Sequence, residues 1–365
     1  MTTAAAPQLT PGPLADMVQS SPPGLWNDSA DLEELTTSIG YGAVGATCNP
    51  VIAYTTINKW PQVWGPRIQA LATEHPTAGE SEIGWAAVRQ MSVEAAELLL
   101  PAFERYAGRN GRLSMQTDPR LHRDGAAIVE QAVEFSQLAP NIIVKVPATE
   151  VGIAAMEEAT YRGVSINATV SFSVPQVVQV GAAVERGLQR REAEGLDVAS
   201  MGPVVTLMVG RLDDWLKVVA ARDDIEIDPA HLEWAGVAAI KRSYQIFQER
   251  GYRARVLSAA FRNTLQWSEL VGGDLVISPP FSWQQKIQES GLSAEHRIDE
   301  PVDPEIIASL ERFEDFRRAY EPDGMDASEF ATFPPTLRTL RQFLAADADL
   351  DALVRDIIVT NPDPA

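Results

Sequence analysis

The stretch "NIIVKVPATEVG", residues 141–152, has a lysine in the middle of an apolar run. Apolar residues extend from Ile142 to Val144 before Lys145, and Val146 follows it. Such a run is typical of a strand that is buried on both faces in a parallel sheet. Burying an unpaired ammonium group costs several kcal/mol, and the usual response of the amine is to lose its proton. A neutral lysine is a nucleophile, so this strand predicts a reactive amine.

Short apolar runs alternate with amphipathic stretches along the whole chain, which is typical of repeated βα units around a parallel sheet. Helical patterns with apolar residues at three and four spacing occur, for example, at 118–139 and 233–251. Eight runs predict strands, at 24–28, 42–48, 111–117, 141–146, 163–169, 202–208, 252–260 and 274–280. A closed (β/α)8 TIM barrel requires eight such units, and we expect this α/β fold.

The length of 365 residues suits one barrel domain with additions, so we predict a single domain over 1–365. The first residues have neither the basic start nor the apolar core of a signal peptide, so none is expected. Residues 1–20 are expected to form a flexible arm. A helical insertion is predicted at 51–104 after the second strand, with a helix pair starting at residue 80. A mostly helical tail is predicted at 281–365, and the sequence leaves open whether it closes the barrel mouth or mediates a dimer.

The composition excludes several classes of function. A formal net charge of −20 argues against a protein that binds nucleic acid or an anionic membrane, and no run approaches the ~18 apolar residues of a membrane helix. Cys48 is the only cysteine, which excludes an internal disulfide and favours the reducing cytoplasm. The histidines are His75, His122, His231 and His296. Their separations in the sequence do not match those of metal-ligating histidines, so we predict no metal site.

Polar residues stand at or near the carboxyl ends of most predicted strands. Functional residues of TIM barrels lie at this end, so we expect these side chains to share one polar mouth. They are Asp28, Thr47, Asn49, Gln116, Asp118, Lys145, Asn167, Thr169, Thr206, Arg211 and Arg262.

Five motifs resemble the transaldolase family of Schiff-base aldolases in their order, spacing and strand placement. They are "GATCNPVI" (45–52), "IIVKVPATEVGI" (142–153), "INATVSFSVPQ" (166–176), "VGRLDDW" (209–215) and "AAFRN" (259–263). The resemblance covers most of the chain, and the lysine strand with the T-x-N-P turn is its most specific part. It implies an enzyme that cleaves a ketose phosphate and passes a dihydroxyacetone unit to an aldose phosphate, without a metal or organic cofactor. The implied partners are therefore small sugar phosphates, and the sequence leaves open a monomer or a homodimer.

The resemblance implies two catalytic roles. Lys145 would attack the ketose carbonyl and form the iminium that accepts electrons when the carbon–carbon bond breaks. Asp28 would take the proton from the substrate hydroxyl and return it in the reverse step. The alternatives are a lysine whose head reaches solvent and an aspartate that caps a helix starting at Ser29, although Asp31 is the better cap if that helix starts later.

Amide and hydroxyl groups complete the implied site. Asn49 and Asn167 match residues that hold substrate hydroxyls or the lysine nitrogen, and Thr169 matches a hydroxyl that orients the catalytic water. Thr47 and Thr206 are counted with the substrate-binding residues. Each of these types also occurs at strand ends simply as a turn former.

Arg211 and Arg262 match the pair that grips the substrate phosphate. Planar, permanently charged guanidinium groups suit this task because they donate hydrogen bonds in pairs. The alternative is surface salt bridging.

Three positions depart from the family pattern. Gln116 replaces a glutamate that relays protons through water; a glutamine also stands here in the fructose-6-phosphate aldolase group. Met208 replaces an aromatic residue, which is a tyrosine in that aldolase group, and Ala260 replaces a serine that contacts phosphate. The leading hypothesis is transaldolase-type transfer, with two alternatives: cleavage as in fructose-6-phosphate aldolase, or a sugar-phosphate-binding relative with a changed substrate.

Overall fold

A computed structural model describes residues 8–359 and residue 362. Eight parallel strands close into a barrel in chain order, and the last strand pairs with the first. The strands are β1 Gly24–Asn27, β2 Ala43–Cys48, β3 Arg112–Gln116, β4 Ile142–Pro147, β5 Ile166–Thr169, β6 Val204–Leu207, β7 Arg255–Ala259 and β8 Val276–Ser278. Each overlaps a run predicted from the sequence, so the TIM-barrel prediction is confirmed.

Helices alternate with the strands and surround the barrel. They are α1 Pro13–Ser20, α2 Leu32–Gly40, α3 Pro50–Lys59, α4 Pro61–Glu74, α5 Glu80–Arg105, α6 Gly125–Ser136, α7 Glu150–Tyr161, α8 Val174–Ala193, α9 Val209–Arg222, α10 Pro229–Leu232, α11 Ala235–Arg250, α12 Leu265–Ser268, α13 Phe281–Glu289, α14 Pro304–Leu310, α15 Glu314–Tyr320, α16 Ala327–Phe330 and α17 Pro334–Ile358. Several begin directly after a strand because a polar side chain caps their first turn. Thr149 caps α7 and Ser173 caps α8 in this way.

Below the level of Lys145, and above the buried Arg112 and Arg255 at its amino-terminal end, the barrel interior has an apolar layer. A buried cluster fills it, formed by Trp26, Ile143, Val204, Leu257, Ala259 and Val276. Gly45 on β2 faces the Trp26 ring, and a Cβ at this position would overlap the ring. A glycine is therefore needed for the indole to fill the barrel.

The insertion after β2 consists of α3, α4 and α5. The predicted helix pair starting at residue 80 is wrong, because residues 80–105 form the single helix α5. Pro101 lies inside this helix without ending it. A helix can continue through one proline if it loses a single backbone hydrogen bond and bends locally. The proline therefore does not end the helix.

The predicted arm at 1–20 is wrong from Pro13 onwards. Residues 13–20 form α1, whose Leu14 and Met17 are fully buried. Met17 lies against Trp267, whose indole nitrogen is 3.1 Å from the methionine sulfur. Residues 1–7 lie outside the described part of the chain.

The described part of the tail after β8 is mostly helical, as predicted, and its last helix α17 contacts α3, α4, α5 and α9. Residues 360, 361 and 363–365 of the predicted tail lie outside the described part of the chain. Two polar contacts place α17 at the carboxyl end of the barrel. Arg211 at the start of α9 donates to Gln342 Oε1 at 2.6 Å, and Arg120, after β3, lies 3.0 Å from Asp347. The tail helix therefore lies over the barrel mouth.

No helix within residues 8–359 is long and apolar enough to cross a membrane.

Candidate active site

Lys145 lies on β4 near the carboxyl end of the barrel. Its register partners are Gln116 on β3 and Asn167 on β5, so the three side chains stand side by side around the barrel wall. Lys145 is only 4% exposed. Burial lowers the pKa of its amine, and the charges of Asp28 and Cys48 oppose this shift only partly. Burial on the strand therefore favours the neutral form of the amine, which is its nucleophilic form.

Asp28 directly follows β1, and its backbone N–H donates to Pro279 at the end of β8. Its side chain is partly exposed, yet the surrounding protein desolvates it and raises the pKa of the carboxyl group. The positive charges of Lys145 and Arg211 oppose this shift, which shows that the three groups share one electrostatic environment.

Asp28 is not a helix cap. Helix α2 begins at Leu32 and Asp31 is its N-cap, accepting hydrogen bonds from the backbone N–H groups of Glu33 and Glu34. In the described chain Asp28 and Lys145 form no ion pair with each other. The carboxylate instead borders a cavity of about 250 Å³, together with residues of α3 and the start of α13. Lys145 and Arg211 are not among the residues that line this cavity, so it lies on the α2, α3 and α13 side of Asp28.

A buried hydrogen-bond chain fixes Asn167 beside Lys145. The Asn167 amide donates to Ser114 Oγ at 2.8 Å, and its oxygen accepts from Thr206 Oγ1 at 2.8 Å. Because both ends of the amide are held, its orientation is set before any ligand binds. Sequence reasoning missed Ser114, although it lies two residues before Gln116 and so faces the same side of β3.

The amide of Gln116 is 3% exposed, and its oxygen Oε1 has no hydrogen-bond partner among the described residues. A buried acceptor without a partner is a natural position for a bound water. Thr169 is also buried, and its hydroxyl lies 3.9 Å from the sulfur of Met208. A thioether sulfur is a weak hydrogen-bond acceptor, so the Thr169 hydroxyl can still donate to a stronger acceptor such as a water oxygen.

Two further predicted residues lie at the end of β2. Thr47 is 2% exposed and is in register with Ser114. Asn49 is the N-cap of α3, because its side-chain oxygen accepts from the Ile52 N–H at 3.0 Å. The turn-forming role of Asn49 is therefore present, and its amide NH₂ group makes no hydrogen bond among the described residues.

The two arginines differ in how many of their donors are already used. Arg262 donates through Nε and Nη2 to Asp214, and through Nη1 to the carbonyls of Ala260 and Phe261. Arg211 uses one donor on Gln342, while its buried Nε has no partner in the described chain. Arg211 thus has more free donors for an anion than Arg262.

A buried network supports the position of Arg262. Its backbone N–H donates to Gln266 Oε1 at 2.6 Å, and the amide of Gln266 donates to Asp213 at 2.6 Å. Burial raises the pKa of Asp213 well above its usual range. Gly210 also contributes, because a Cβ there would overlap the carbonyl of Ala260 and lie 2.6 Å from Arg262 Cγ.

Helix α17 brings a third guanidinium group to this side of the mouth. Burial lowers the pKa of Arg211, and the positive charges of Arg262 and Arg338 lower it further. Arg338 lies in the first turns of α17 and stacks over Trp215, 5.7 Å from the ring centroid. Sequence reasoning missed Arg338 because it left the position of the tail open.

Comparison with known proteins identifies the family. The model of the family described as transaldolase/fructose-6-phosphate aldolase matches residues 25–327. The chain belongs to the transaldolase/fructose-6-phosphate aldolase family.

Relatives named transaldolase are similar over different lengths. Transaldolase 1 of Streptomyces coelicolor is 30% identical over 279 residues, which are 69% of this chain and 71% of the relative. A transaldolase of Parafrankia sp. is 24% identical over 358 residues, covering 95% of this chain and 91% of the relative. The match to transaldolase 1 of Streptomyces avermitilis, at 31% identity, covers 56% of this chain and only 54% of that protein.

The three residues that depart from the family pattern, Gln116, Met208 and Ala260, lie at or near the ends of β3, β6 and β7. Gln116 is the register neighbour of Lys145, and Met208 contacts Thr169. Ala260 adopts a left-handed backbone conformation, with φ of 62°, and offers no hydroxyl to a ligand. Within the described chain, no group of three or more acidic, histidine or cysteine side chains is arranged to hold a metal ion.

Proposed function

We propose that the protein is a Schiff-base enzyme that transfers a dihydroxyacetone unit from a ketose phosphate to an aldose phosphate. Membership of the transaldolase/fructose-6-phosphate aldolase family supports an enzyme rather than a binding protein. The observation that carries the proposal is the buried Lys145, whose pKa is lowered and which stands between Gln116 and Asn167 in a closed barrel. A desolvated lysine is the nucleophile that Schiff-base chemistry requires.

The first half-reaction forms the covalent intermediate. The neutral Lys145 amine attacks the ketose carbonyl carbon and gives a carbinolamine, which loses water to become an iminium ion. Asp28 then removes the proton from the hydroxyl next to the breaking carbon–carbon bond, and the aldose phosphate leaves. The bonding electrons move into the iminium, so that a three-carbon enamine remains on Lys145.

The second half-reaction reverses these steps. The enamine attacks the aldehyde carbon of the acceptor, and protonated Asp28 returns its proton to the new alkoxide. Water then adds to the iminium and releases the new ketose phosphate from Lys145. Gln116 would hold this water and Thr169 would orient it. Because an amide cannot accept the proton of the water, that proton would pass to the Asp28 carboxylate, which is ionised once it has protonated the alkoxide, and then to the departing amine.

The phosphate is held at the arginine side of the mouth. Arg211 offers the most free donors, and Arg338 adds a positive charge nearby. Arg262, whose donors are mostly used, shapes the site and adds charge. Buried guanidinium groups bind phosphate more strongly than exposed ones because less water competes.

Cleavage without transfer is the second candidate, as in fructose-6-phosphate aldolase. The unpartnered oxygen of Gln116 favours it, because an amide at this position can bind water without relaying a proton. Met208 counts against it because it offers no phenol to activate that water. The third candidate keeps sugar-phosphate binding with a changed substrate.

Borohydride trapping tests the chemistry. The protein is incubated with fructose 6-phosphate and sodium borohydride, digested, and analysed by mass spectrometry. We expect a carbohydrate adduct on the peptide that contains Lys145 and none in Lys145→Met. The control Lys286→Met, which removes an amine that stacks on Trp283 outside the site, should still form the adduct. An unmodified Lys145 peptide in protein that binds the sugar would contradict both enzyme proposals.

Adding erythrose 4-phosphate separates transfer from cleavage. A transferase forms a seven-carbon ketose phosphate, whereas an aldolase releases dihydroxyacetone whether or not the acceptor is present. We further propose a cytoplasmic location, on the ground that the only cysteine is the buried thiol of Cys48.

A further inference from the structure

Side chains inside a (β/α)8 barrel lie in layers of four, and the members of one layer come from alternate strands. Because the strands are tilted and staggered, register partners on neighbouring strands lie one layer apart. Gln116 is therefore one layer nearer the mouth than its partner Lys145, and Asn167 is one layer deeper. The strand registers thus assign each interior residue to a layer.

The layer at the level of Lys145 follows from the remaining registers. Asn167 pairs with Val204, so Thr206, two residues further along β6, is again at the level of Lys145. The same steps through β7 and through β3 reach one residue on β8 and one on β2. The resulting lysine layer consists of Thr47, Lys145, Thr206 and Ser278, which come from β2, β4, β6 and β8.

Ser278 is the member of the lysine layer that was not predicted from the sequence. Val276 belongs to the cluster inside the barrel and Ile277 to the core between strands and helices, so Ser278 faces the interior. Ser278 is 1% exposed, and its hydroxyl has no hydrogen-bond partner among the described residues. An unpaired buried hydroxyl destabilises the fold, so this group needs a partner that is not a protein atom.

Short side chains leave room beside the lysine. Bulky branched residues usually fill such layers, whereas the lysine layer has two threonines and a serine around Lys145. The Thr206 hydroxyl already donates to Asn167 Oδ1, but the hydroxyl hydrogen of Ser278 is uncommitted in the described chain. A small buried space lined by polar groups is where proteins hold internal water. The lysine layer therefore favours an internal water bound to Ser278.

Asp28 lies one layer nearer the mouth than Ser278, on the neighbouring strand. Strand β1 pairs with β8, and the Asp28 backbone N–H donates to the Pro279 carbonyl at 3.4 Å. Lys145 lies across the barrel from Ser278, because β4 and β8 are opposite strands. The charges of Asp28 and Lys145 affect each other's pKa, although the two groups form no ion pair in the described chain. A water on Ser278 would therefore stand between them.

We propose that Ser278 is a positioning residue that holds a water between Lys145 and Asp28, and that this water passes protons between the two groups. The inference rests on the proposed function and adds a residue to it. The water takes a proton from the ammonium form of Lys145 and gives one to the Asp28 carboxylate, which leaves a neutral amine and a carboxylic acid. A serine hydroxyl suits this position because it can donate one hydrogen bond and accept another.

The proton on Asp28 is then used to form the iminium. As the Lys145 nitrogen bonds to the ketose carbonyl carbon, the carbonyl oxygen receives one hydrogen from the nitrogen and one from Asp28, and it leaves as water. The iminium and the Asp28 carboxylate remain. Asp28 is thereby ready to accept the proton of the substrate hydroxyl when the carbon–carbon bond breaks.

Timed borohydride trapping tests this role. The protein is mixed with fructose 6-phosphate and quenched with sodium borohydride at successive times, and the adduct on the Lys145 peptide is measured by mass spectrometry. Ser278→Ala should lower the rate of adduct formation at saturating substrate about five- to tenfold, which is the effect of one lost hydrogen bond. The half-saturating concentration should stay the same, because Ser278 lies away from the arginines that hold the phosphate. Ser278→Thr keeps the hydroxyl and should recover most of the rate.

Thr160→Val is the matched control. Thr160 lies on α7, outside the barrel, and its hydroxyl is likewise buried and without a partner in the described chain. Removal of this hydroxyl should leave the rate of adduct formation unchanged. Circular dichroism verifies that each variant is folded.

Crystal structures supply a measurement that needs no substrate. At high resolution we expect a water within about 3.2 Å of Ser278 Oγ in the unsubstituted protein, and none at this position in Ser278→Ala.

Two results would overturn the proposal. One is a crystal structure in which no water contacts Ser278, and the other is an equal rate of adduct formation in Ser278→Ala and the unsubstituted protein. If Lys145 of the unsubstituted protein formed no adduct at all, the enzyme proposal itself would fail, and the proton-passing role with it. The crystal structures would still decide whether Ser278 binds a water, so the two failures are distinguishable.

Discussion

Replacing Gly210 with alanine should displace Arg262 and weaken the binding of phosphorylated substrates. The new Cβ would lie 2.6 Å from Arg262 Cγ and would overlap the carbonyl of Ala260. Unbonded carbon atoms approach to about 3.5 Å, so Arg262 must retreat by roughly 1 Å. The carbonyl of Ala260 is backbone, so this contact cannot be relieved by a side-chain rotation.

The expected size of the effect follows from this displacement. A 1 Å misplacement of a positioning group lowers kcat/KM by up to about 100-fold. The loss should fall mainly on KM for fructose 6-phosphate and should be much smaller with a donor that lacks phosphate. Overpacking should also lower the free energy of unfolding by about 1–3 kcal/mol.

Gly65→Ala is the matched control. Gly65 lies within α4, and no atom lies within 4 Å of the position that its Cβ would take. Alanine should therefore stabilise the helix by up to about 1 kcal/mol without changing the kinetics. The assays are steady-state kinetics with both donors and urea unfolding. Equal KM for fructose 6-phosphate in Gly210→Ala and the unsubstituted protein would refute the role assigned to Arg262.

Three further predictions concern the proton chemistry. Gln116→Glu should raise the rate of transfer to erythrose 4-phosphate, because a carboxylate can take the proton of the bound water; no increase in kcat would show that the relay is arranged differently. Lys145→Met should stabilise the fold most at low pH. The amine binds its proton less tightly in the folded than in the unfolded chain, so the unsubstituted protein gains stability as the pH rises towards 10.5. The urea midpoints of Lys145→Met and of the unsubstituted protein should therefore converge between pH 6 and pH 10. Asp347→Asn should show the opposite trend, because burial and the nearby charge of Asp118 raise the pKa of Asp347 to about 6. The folded chain holds that proton more tightly than the unfolded chain, so the unsubstituted protein loses stability as the pH rises from about 4 to 6. If the difference in urea midpoint between Asp347→Asn and the unsubstituted protein were the same at both ends of this range, the raised pKa of Asp347 would be contradicted.

The strands were predictable because most of them contain a short apolar run, whose burial is a local property of the sequence. Lys145 and Asn167 were predictable for the same reason, since polar residues inside such runs face the barrel interior near its carboxyl end. Helix boundaries were less certain. Pro101 inside α5 shows that a single breaker does not decide where a helix ends.

The surroundings of the arginines could not be predicted from local patterns. Arg211 and Gln342 are 131 positions apart, and only the packing of α17 brings them together. The use of Arg262 donors by Asp214, Ala260 and Phe261 depends on the left-handed turn at Ala260. Such contacts depend on how distant elements pack together. The periodicity of apolar residues predicts the elements but not these contacts.

The position of α17 has a consequence for synthesis of the protein on the ribosome. All eight strands emerge before Pro334, so a barrel can close while Arg338 and Gln342 are still untranslated. A nascent chain at that stage has the lysine in place and lacks the groups that the final helix adds beside Arg211. Premature termination before Pro334 would remove these groups and would also uncover the apolar surface that Phe343, Leu350 and Val354 cover, so the shortened product should be defective both in anion binding and in solubility.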